Sequence, residues 1–376
     1  MALPASLSRR QLLQAAALGG MGLLAGCGSS GPQLVAVRGS LPPAWLKPLP
    51  KPWRAQLVET PQAVLAAAGR PDAALLSLGD GWATLLASEA LQPFGAGRLL
   101  AGLDPLAAPV SRLFRPQGAP ALAFPWAFGP WLLLLRSRPD LARRRAEGWD
   151  LLLDPSLRGR VLLPSSPRLV IALGLHQLGL QQQGPAQGSV AAAATAEAVA
   201  RMGADPTASA TAALEDPRLR PWLRRLRAQA LAFDERDGLN LVLAGDAEAA
   251  VLPSHQVLPL LRRDPRLTAL LPESGAPLWW QLLLRPAVGP GQLAPPLPLE
   301  WLADGLSLPL LDRLLAGGWV PPLPRQRLAP ALARWPEPLR ELLLPPAPLL
   351  ERCTNLAPFT PEQRQRWQQL WDATAA

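Results

Sequence analysis

The chain has 376 residues, with 37 Lys and Arg against 28 Asp and Glu and a net charge of +9. Hydrophobic residues make up 49% and charged ones 17%, which excludes an intrinsically disordered chain and provides for two domains of roughly 150 residues each. The arginines are scattered among Pro, Leu and Ala, with the main clusters after the signal at 143–145 and 224–225, so the basicity forms no nucleic-acid-binding stripe.

Residues 1–27 read as an export signal. Arg9 and Arg10 follow Ser8, an uncharged Ala/Leu/Gly run comes next, and Leu24-Ala25-Gly26-Cys27 closes it. A basic start, a short apolar run and small residues before a cut make a secretory signal, and the arginine pair makes it twin-arginine type. The run is far short of the roughly 20 residues that span a bilayer, and Gly19, Gly20 and Gly22 interrupt it. Its ending resembles a bacterial lipobox, in which the cysteine is lipidated and becomes the new N-terminus. The mature protein is therefore expected in the periplasm, held to the membrane through lipid on Cys27 and a tether over 28–33. Lipidation would consume one of the two cysteines, leaving Cys353 and no disulfide.

Short apolar runs then alternate with helical ones. Strands are expected at 34–37, closed by Arg38-Gly39-Ser40, at 55–58, and at 73–76, ending in Ser77-Leu78-Gly79-Asp80-Gly81. Helices are expected at 41–49, at 61–68 with proline at its start, and at 82–90. The run 124–135 is a long buried strand with a proline–glycine interruption. The pattern restarts with a strand at 159–163 and a helix from Pro167 to about Leu178, capped by Ser165 and Ser166. Helices follow at 190–202 and 221–231, and a helix end at 240–246. A strand at 249–252 leads to Pro253-Ser254-His255, and the strand at 278–284 returns to the first unit. Proline-punctuated helices fill the rest, at 299–306, 309–315, 336–344 and 361–371. The expected fold is α/β with a largely parallel sheet, in two lobes joined by crossover strands and followed by a C-terminal helical segment. The lobes would be 34–128 with 281–376, and 129–280.

Ligands in such sheets sit outside the carboxyl ends of the strands, where helix N-termini meet loops. That places Ser40, Ser77, Asp80, Ser165, Ser166 and Ser254 at candidate positions, with His255 after a strand end. Trp126, Trp279 and Gln281 lie on the crossover strands, where an aromatic can stack on a ligand. His176, within an apolar helix, reads as structural. No GxSxG, P-loop, HExxH or CxxC motif is present, so no enzyme is expected. Two histidines and no tyrosine leave neither a His-rich metal site nor the tyrosinates that hard ferric iron favours. No cofactor or metal is expected.

One stretch carries a resemblance. Trp149-Asp150-Leu151-Leu152-Leu153-Asp154-Pro155 through Gly159-Arg160-Val161 is similar to the W-x-D-L-x-D-P-x-x-x-G-[KR]-V segment of spermidine/putrescine-type binding proteins, with the first aspartate displaced by one. The strand and serine at 72–77, Gly245-Asp246-Ala247-Glu248 and Leu278-Trp279-Trp280 resemble further elements of that family. The resemblance implies a type II periplasmic binding fold and a monomer that captures a small solute for the permease and ATPase of an ABC importer. An alternative is a membrane-anchored sensor or interaction protein that kept the fold. The departures concern the ligand. Where the family has acids and aromatics, this chain has Ser165, Ser166 and Leu169 with Arg168 close by, Gln281, Pro253 and Gly79. Burying a di-cation without carboxylates costs several kcal/mol per charge, so a neutral or anionic solute is expected in place of a polyamine.

The anchor reading is tested by fractionation. Cys27→Ala leaves the protein exported but absent from the membrane fraction, and lysines at Arg9 and Arg10 block export. Equal membrane retention of the cysteine variant would overturn the lipobox reading.

Overall fold

A computed structural model describes residues 31–181, 212–289 and 291–375. Arg9, Arg10, Cys27 and the helix expected at 190–202 lie outside the described residues.

Three parallel strands open the fold: β1 (Gln33–Val37), β2 (Arg54–Val58) and β3 (Ala73–Gly79). Helix α1 (Pro43–Leu46) follows β1 and α2 (Pro61–Ala67) follows β2, the latter capped by Thr60, whose hydroxyl accepts the Ala63 N–H. α3 (Asp80–Ala83) springs directly from β3. The helix expected at 41–49 shrinks to α1, whose C-cap Lys47 keeps helical φ/ψ but is followed by Pro48, which has no N–H to bond back to the preceding turn. The one expected at 82–90 starts two residues early as α3 and breaks before a single 3₁₀ turn at Ser88–Ala90.

β4 (Ala123–Arg136) is buried along its whole length except its last residue. Beyond it come β5 (Val161–Leu163), α4 (Pro167–Gln177), α5 (Leu219–Gln229), β6 (Ala230–Phe233), α6 (Gly238–Ala244), β7 (Ala249–Pro253), α7 (Ser254–Leu261), β8 (Leu267–Leu270) and β9 (Leu278–Leu284). The C-terminal part is helical: α8 (Leu299–Asp304), α9 (Leu310–Ala316), α10 (Arg325–Leu332), α11 (Glu337–Leu343), α12 (Ala347–Leu350) and α13 (Pro361–Asp372). α7 and α10 carry Pro259 and Pro330 inside them and are not among the helices expected from the sequence.

The strand order is β2-β1-β3-β9-β4-β7-β5-β6, with β8 also on β4. β4 pairs antiparallel with β9 over its first part and with β7 and β8 over its second, so it belongs to both halves of the sheet. Side chains alternate across a strand, and the second part of β4 shows it. Leu133 and Leu135 enter the main core, while Leu132 and Leu134 join Leu162, Val242 and Val257 in a separate cluster on the other face. Pro125 is accommodated because the register slips between Pro125 and Ala127, leaving Trp126 in a bulge that re-aims its side chain.

The motif around Trp149 is structural. The buried indole donates to the Gly275 carbonyl at 3.1 Å, and Asp150 accepts the Trp222 indole N–H of α5 at 2.6 Å. Asp154 caps the next turn through the Ser156 N–H, and Arg160 pairs with Glu248, which also holds Arg138. Trp149→Phe keeps the packing but strands the Gly275 carbonyl, and should cost about 1–3 kcal/mol of stability. Guanidinium denaturation checks this; an unchanged midpoint would rule out a stabilising role for the bond.

Candidate functional site

The site builds up from strand register. Gly79, Gln281 and Ala127 are directly paired across β3, β9 and β4, as are Ser77 with Leu283 and Gly129 with Trp279. Paired residues of antiparallel strands share a face, so Ser77, Gly79, Gln281, Trp279 and Gly129 line one wall. Gly129 is required by close approach. A Cβ there would lie 2.3 Å from Ser254 Oγ and 2.9 Å from the Trp279 ring. With glycine present, Ser254 at the start of α7 accepts the Trp279 indole N–H at 3.1 Å. His255, next on α7, meets Trp279 edge-on at 4.4 Å and stacks on Trp319 at 4.2 Å. Gly318, with φ +78°, lets the Trp319 loop come this close, because a Cβ on it would sit 2.8 Å from His255 Cα.

From Trp319 the aromatic row continues to Trp126 at 5.1 Å, Trp45 at 5.0 Å and Trp301 at 4.5 Å. Trp45 and Trp301 donate their indole N–H groups to each other's backbone carbonyls, at 3.0 and 2.7 Å. Four buried polar atoms along this wall have no partner among the described residues: Ser77 Oγ, Gln281 Oε1, Trp126 Nε1 and His255 Nδ1. Leaving such a group unmade costs about 1–3 kcal/mol, so a cluster of them marks a place for a polar ligand. Burial holds the His255 imidazole neutral, with its pKa pushed down to about 3.

Asp80 adjoins the wall. Its Oδ1 accepts the backbone N–H of Trp280 at 3.4 Å, and Arg168 of α4 stands near it. Burial dominates and lifts the carboxyl to about 6; the Trp280 N–H and Arg168 oppose the rise. Arg168 is drawn elsewhere as well. Its guanidinium lies 4.0 Å over the Phe359 ring and donates to the Ala357 carbonyl, and burial lowers it to about 10. Trp280 points to the opposite face of the sheet, stacked on Phe128 at 4.9 Å with its indole N–H on Asn355 Oδ1.

The structure thus gathers Ser77, Trp126, Ser254, Trp279 and Gln281, with Asp80 beside them. Three sequence-proposed residues are employed differently. Ser40 donates to the Val37 carbonyl at 2.8 Å and closes the turn after β1. Ser165 and Ser166 do not cap α4 as expected. Ser166 occupies the N-cap position without a side-chain bond to the helix. Ser165 gives both its backbone N–H and its hydroxyl to the Glu235 carboxylate, at 2.6 and 3.0 Å, because an ionised acceptor forms stronger bonds than a helix N–H offers a hydroxyl. His176 is a satisfied histidine, bonded to the Ser274 carbonyl and Thr354 Oγ1. Trp319, Trp45, Trp301 and Glu235 went unrecognised in the sequence. Gly317-Gly318-Trp319 and the charged run 234–237 were the available signals.

No protein-family model and no curated protein matches the sequence. Solved structures match the fold along nearly the whole chain, which has the α/β architecture of the periplasmic binding proteins. The spermidine/putrescine substrate-binding protein PotD of Streptococcus pneumoniae is 14% identical with a TM-score of 0.66, over 92% of this chain and 98% of that one. A putative spermidine/putrescine ABC transporter protein of Listeria monocytogenes is 16% identical, TM-score 0.62, over 92% and 99%. The Tp0655 lipoprotein of Treponema pallidum is 11% identical, TM-score 0.62, over 91% and 98%.

Asp80 gives this wall a pH dependence. Its folded-state pKa of about 6 lies above the ordinary 3.8, so the folded protein holds that proton more tightly. The stability from this is full below pH 3.8 and is lost as pH rises through 6. Asp80→Asn keeps the oxygen that accepts the Trp280 N–H and removes the loss. Its melting temperature should match the unmodified protein near pH 4 and exceed it by a constant margin above pH 6. A margin independent of pH would refute the assignment.

Proposed function

We propose that the protein is the solute-binding lipoprotein of an ABC importer, exported by the twin-arginine route and anchored through Cys27. Its two lobes, 34–128 with 281–376 and 129–280, close by hinge motion on a small neutral or anionic solute and present it to permease and ATPase subunits. The observation that carries this reading is the set of four unpartnered buried polar atoms at the crossover strands of a binding-protein fold. The lipoprotein naming of the Treponema structure supports the anchor.

Polyamine capture is disfavoured by charge. The wall residues Ser77, Gln281, Trp126 and His255 carry no carboxylate. Of the acids nearby, Asp80 stands near Arg168 and Glu235 is bound to Ser165. Binding without catalysis fits the same geometry. Ser254 Oγ is held by an indole N–H, and the neutral His255 ring is packed between two tryptophans. One observation favours the second reading, an anchored sensor or interaction protein. The rings from His255 to Trp126 lie 4.2–5.7 Å apart, already in mutual contact.

A thermal-shift screen of the mature protein over neutral, acidic and cationic solutes decides between them. A ligand at 100 times its dissociation constant stabilises by about 2.7 kcal/mol. Trp279→Ala should then weaken that ligand tenfold or more, about 1.4 kcal/mol, in a calorimetric titration. Tight spermidine binding would overturn the charge argument, and no ligand in any class would favour the sensor.

A further inference from the structure

A second cavity lies apart from the crossover wall, between α4 and the segment that leads into α13. It measures about 250 Å³, and its lining includes Arg168, Leu175, Gln181, Asn355, Phe359 and Trp367. Among the described residues no aspartate or glutamate lines it, and Arg168 is the one charged residue of that lining. The floor is held on several sides. His176 bonds to the Ser274 carbonyl and to Thr354 Oγ1, Thr354 N–H bonds to the Ala276 carbonyl, and Asn355 Oδ1 accepts the Trp280 indole N–H at 2.8 Å. Against this fixed frame two buried donors, Arg168 Nε and Asn355 Nδ2, and one buried acceptor, Gln181 Oε1, have no partner among the described residues.

We propose that this cavity is a binding site for a small monocarboxylate with an apolar body. The carboxylate would take the Arg168 Nε–H and Asn355 Nδ2–H, and the body would pack on Leu175, Phe359 and Trp367. Gln181 Oε1 is placed to accept from a hydroxyl on such a body. Arg168 supplies one positive charge to the described lining, and Asp80, which stands near it, is kept protonated by burial up to about pH 6, so below that pH the guanidinium matches one ligand carboxylate. The aromatic walls favour an organic acid over inorganic phosphate, whose oxygens would be desolvated against them without partners. The volume falls below the roughly 300–1,000 Å³ of pockets for drug-sized ligands, which limits the ligand to a single ring or a short chain. The site is independent of the importer reading. It also touches the crossover through Asn355 and Trp280, whose backbone N–H holds Asp80.

Calorimetric titration of the mature protein with benzoate tests this, with benzamide and inorganic phosphate as comparisons. Benzoate should bind saturably at one site per chain, at least tenfold tighter than either comparison. Arg168→Gln and Gln181→Glu should each weaken it at least tenfold, the first by removing the cation and the second by adding a repelling charge. Circular dichroism checks folding; if Arg168→Gln misfolds, Gln181→Glu decides alone. Unsaturable benzoate binding, or unchanged affinity in folded Gln181→Glu, would overturn the proposal. Phosphate or benzamide binding as tightly as benzoate would overturn the ligand class.

Discussion

Everything in this fold hangs on a strand that cannot be left with an open edge. β4 runs fourteen residues with apolar side chains on both faces, and an unpaired backbone at that depth would strand its N–H and C=O groups. No other strand among the described residues is long enough to cover it. The chain solves this with two antiparallel partners in succession, β9 and then β7 with β8. The place where partners change is where two halves of the sheet meet. Gly129 sits there, and its missing Cβ lets the start of α7 and the Trp279 ring close in. The same continuity that secures the backbone thereby creates a wall reached from both halves.

The electrostatics of that wall follow from its dryness. His255 stays neutral, Asp80 holds its proton up to about pH 6, and the indoles contribute N–H groups without charge. Charged groups are settled outside it: Arg168 against Phe359 and Ala357, Glu235 against Ser165. A low-dielectric wall rewards hydrogen-bond complementarity and penalises any ligand charge that lacks a fixed counter-charge. The departures of this chain from polyamine-type sequences at Gln281, Pro253 and Gly79 are consistent with that environment.

Local physics was legible in the sequence and long-range pairing was not. β1, β3, β4 and β9 announce themselves as apolar runs bounded by glycine, proline and serine, and Thr60-Pro61 and Ser166-Pro167 mark true helix starts. The stretch around Trp149 was legible as a family likeness, yet its residues turn out to brace α5 and the 275 turn, with no part in the candidate wall. That explains how a likeness can point to the fold while leaving the ligand open. The roles of Ser165 and Arg168 depended on partners 70 and 189 residues away, Glu235 and Ala357. Trp45 and Trp301 find each other across 256 residues, and neither carries a local mark of it. β6 and β8, each four residues with partly exposed positions, were too short to show a period.

The aromatic row has an optical consequence. With fourteen tryptophans and no tyrosine, absorption near 280 nm is essentially indole absorption. The Trp45 and Trp301 rings are stacked nearly parallel, 10° apart, and Trp279 and Trp319 are almost perpendicular at 89°. Such pairs couple their transition dipoles, so the near-ultraviolet circular dichroism of this protein should be shaped by exciton terms and not by isolated rings. Trp279 and Trp319 both contact the His255 ring of α7, so a shift of α7 against them alters the environment of the pair. The molecule carries its own spectroscopic probe, with no label required.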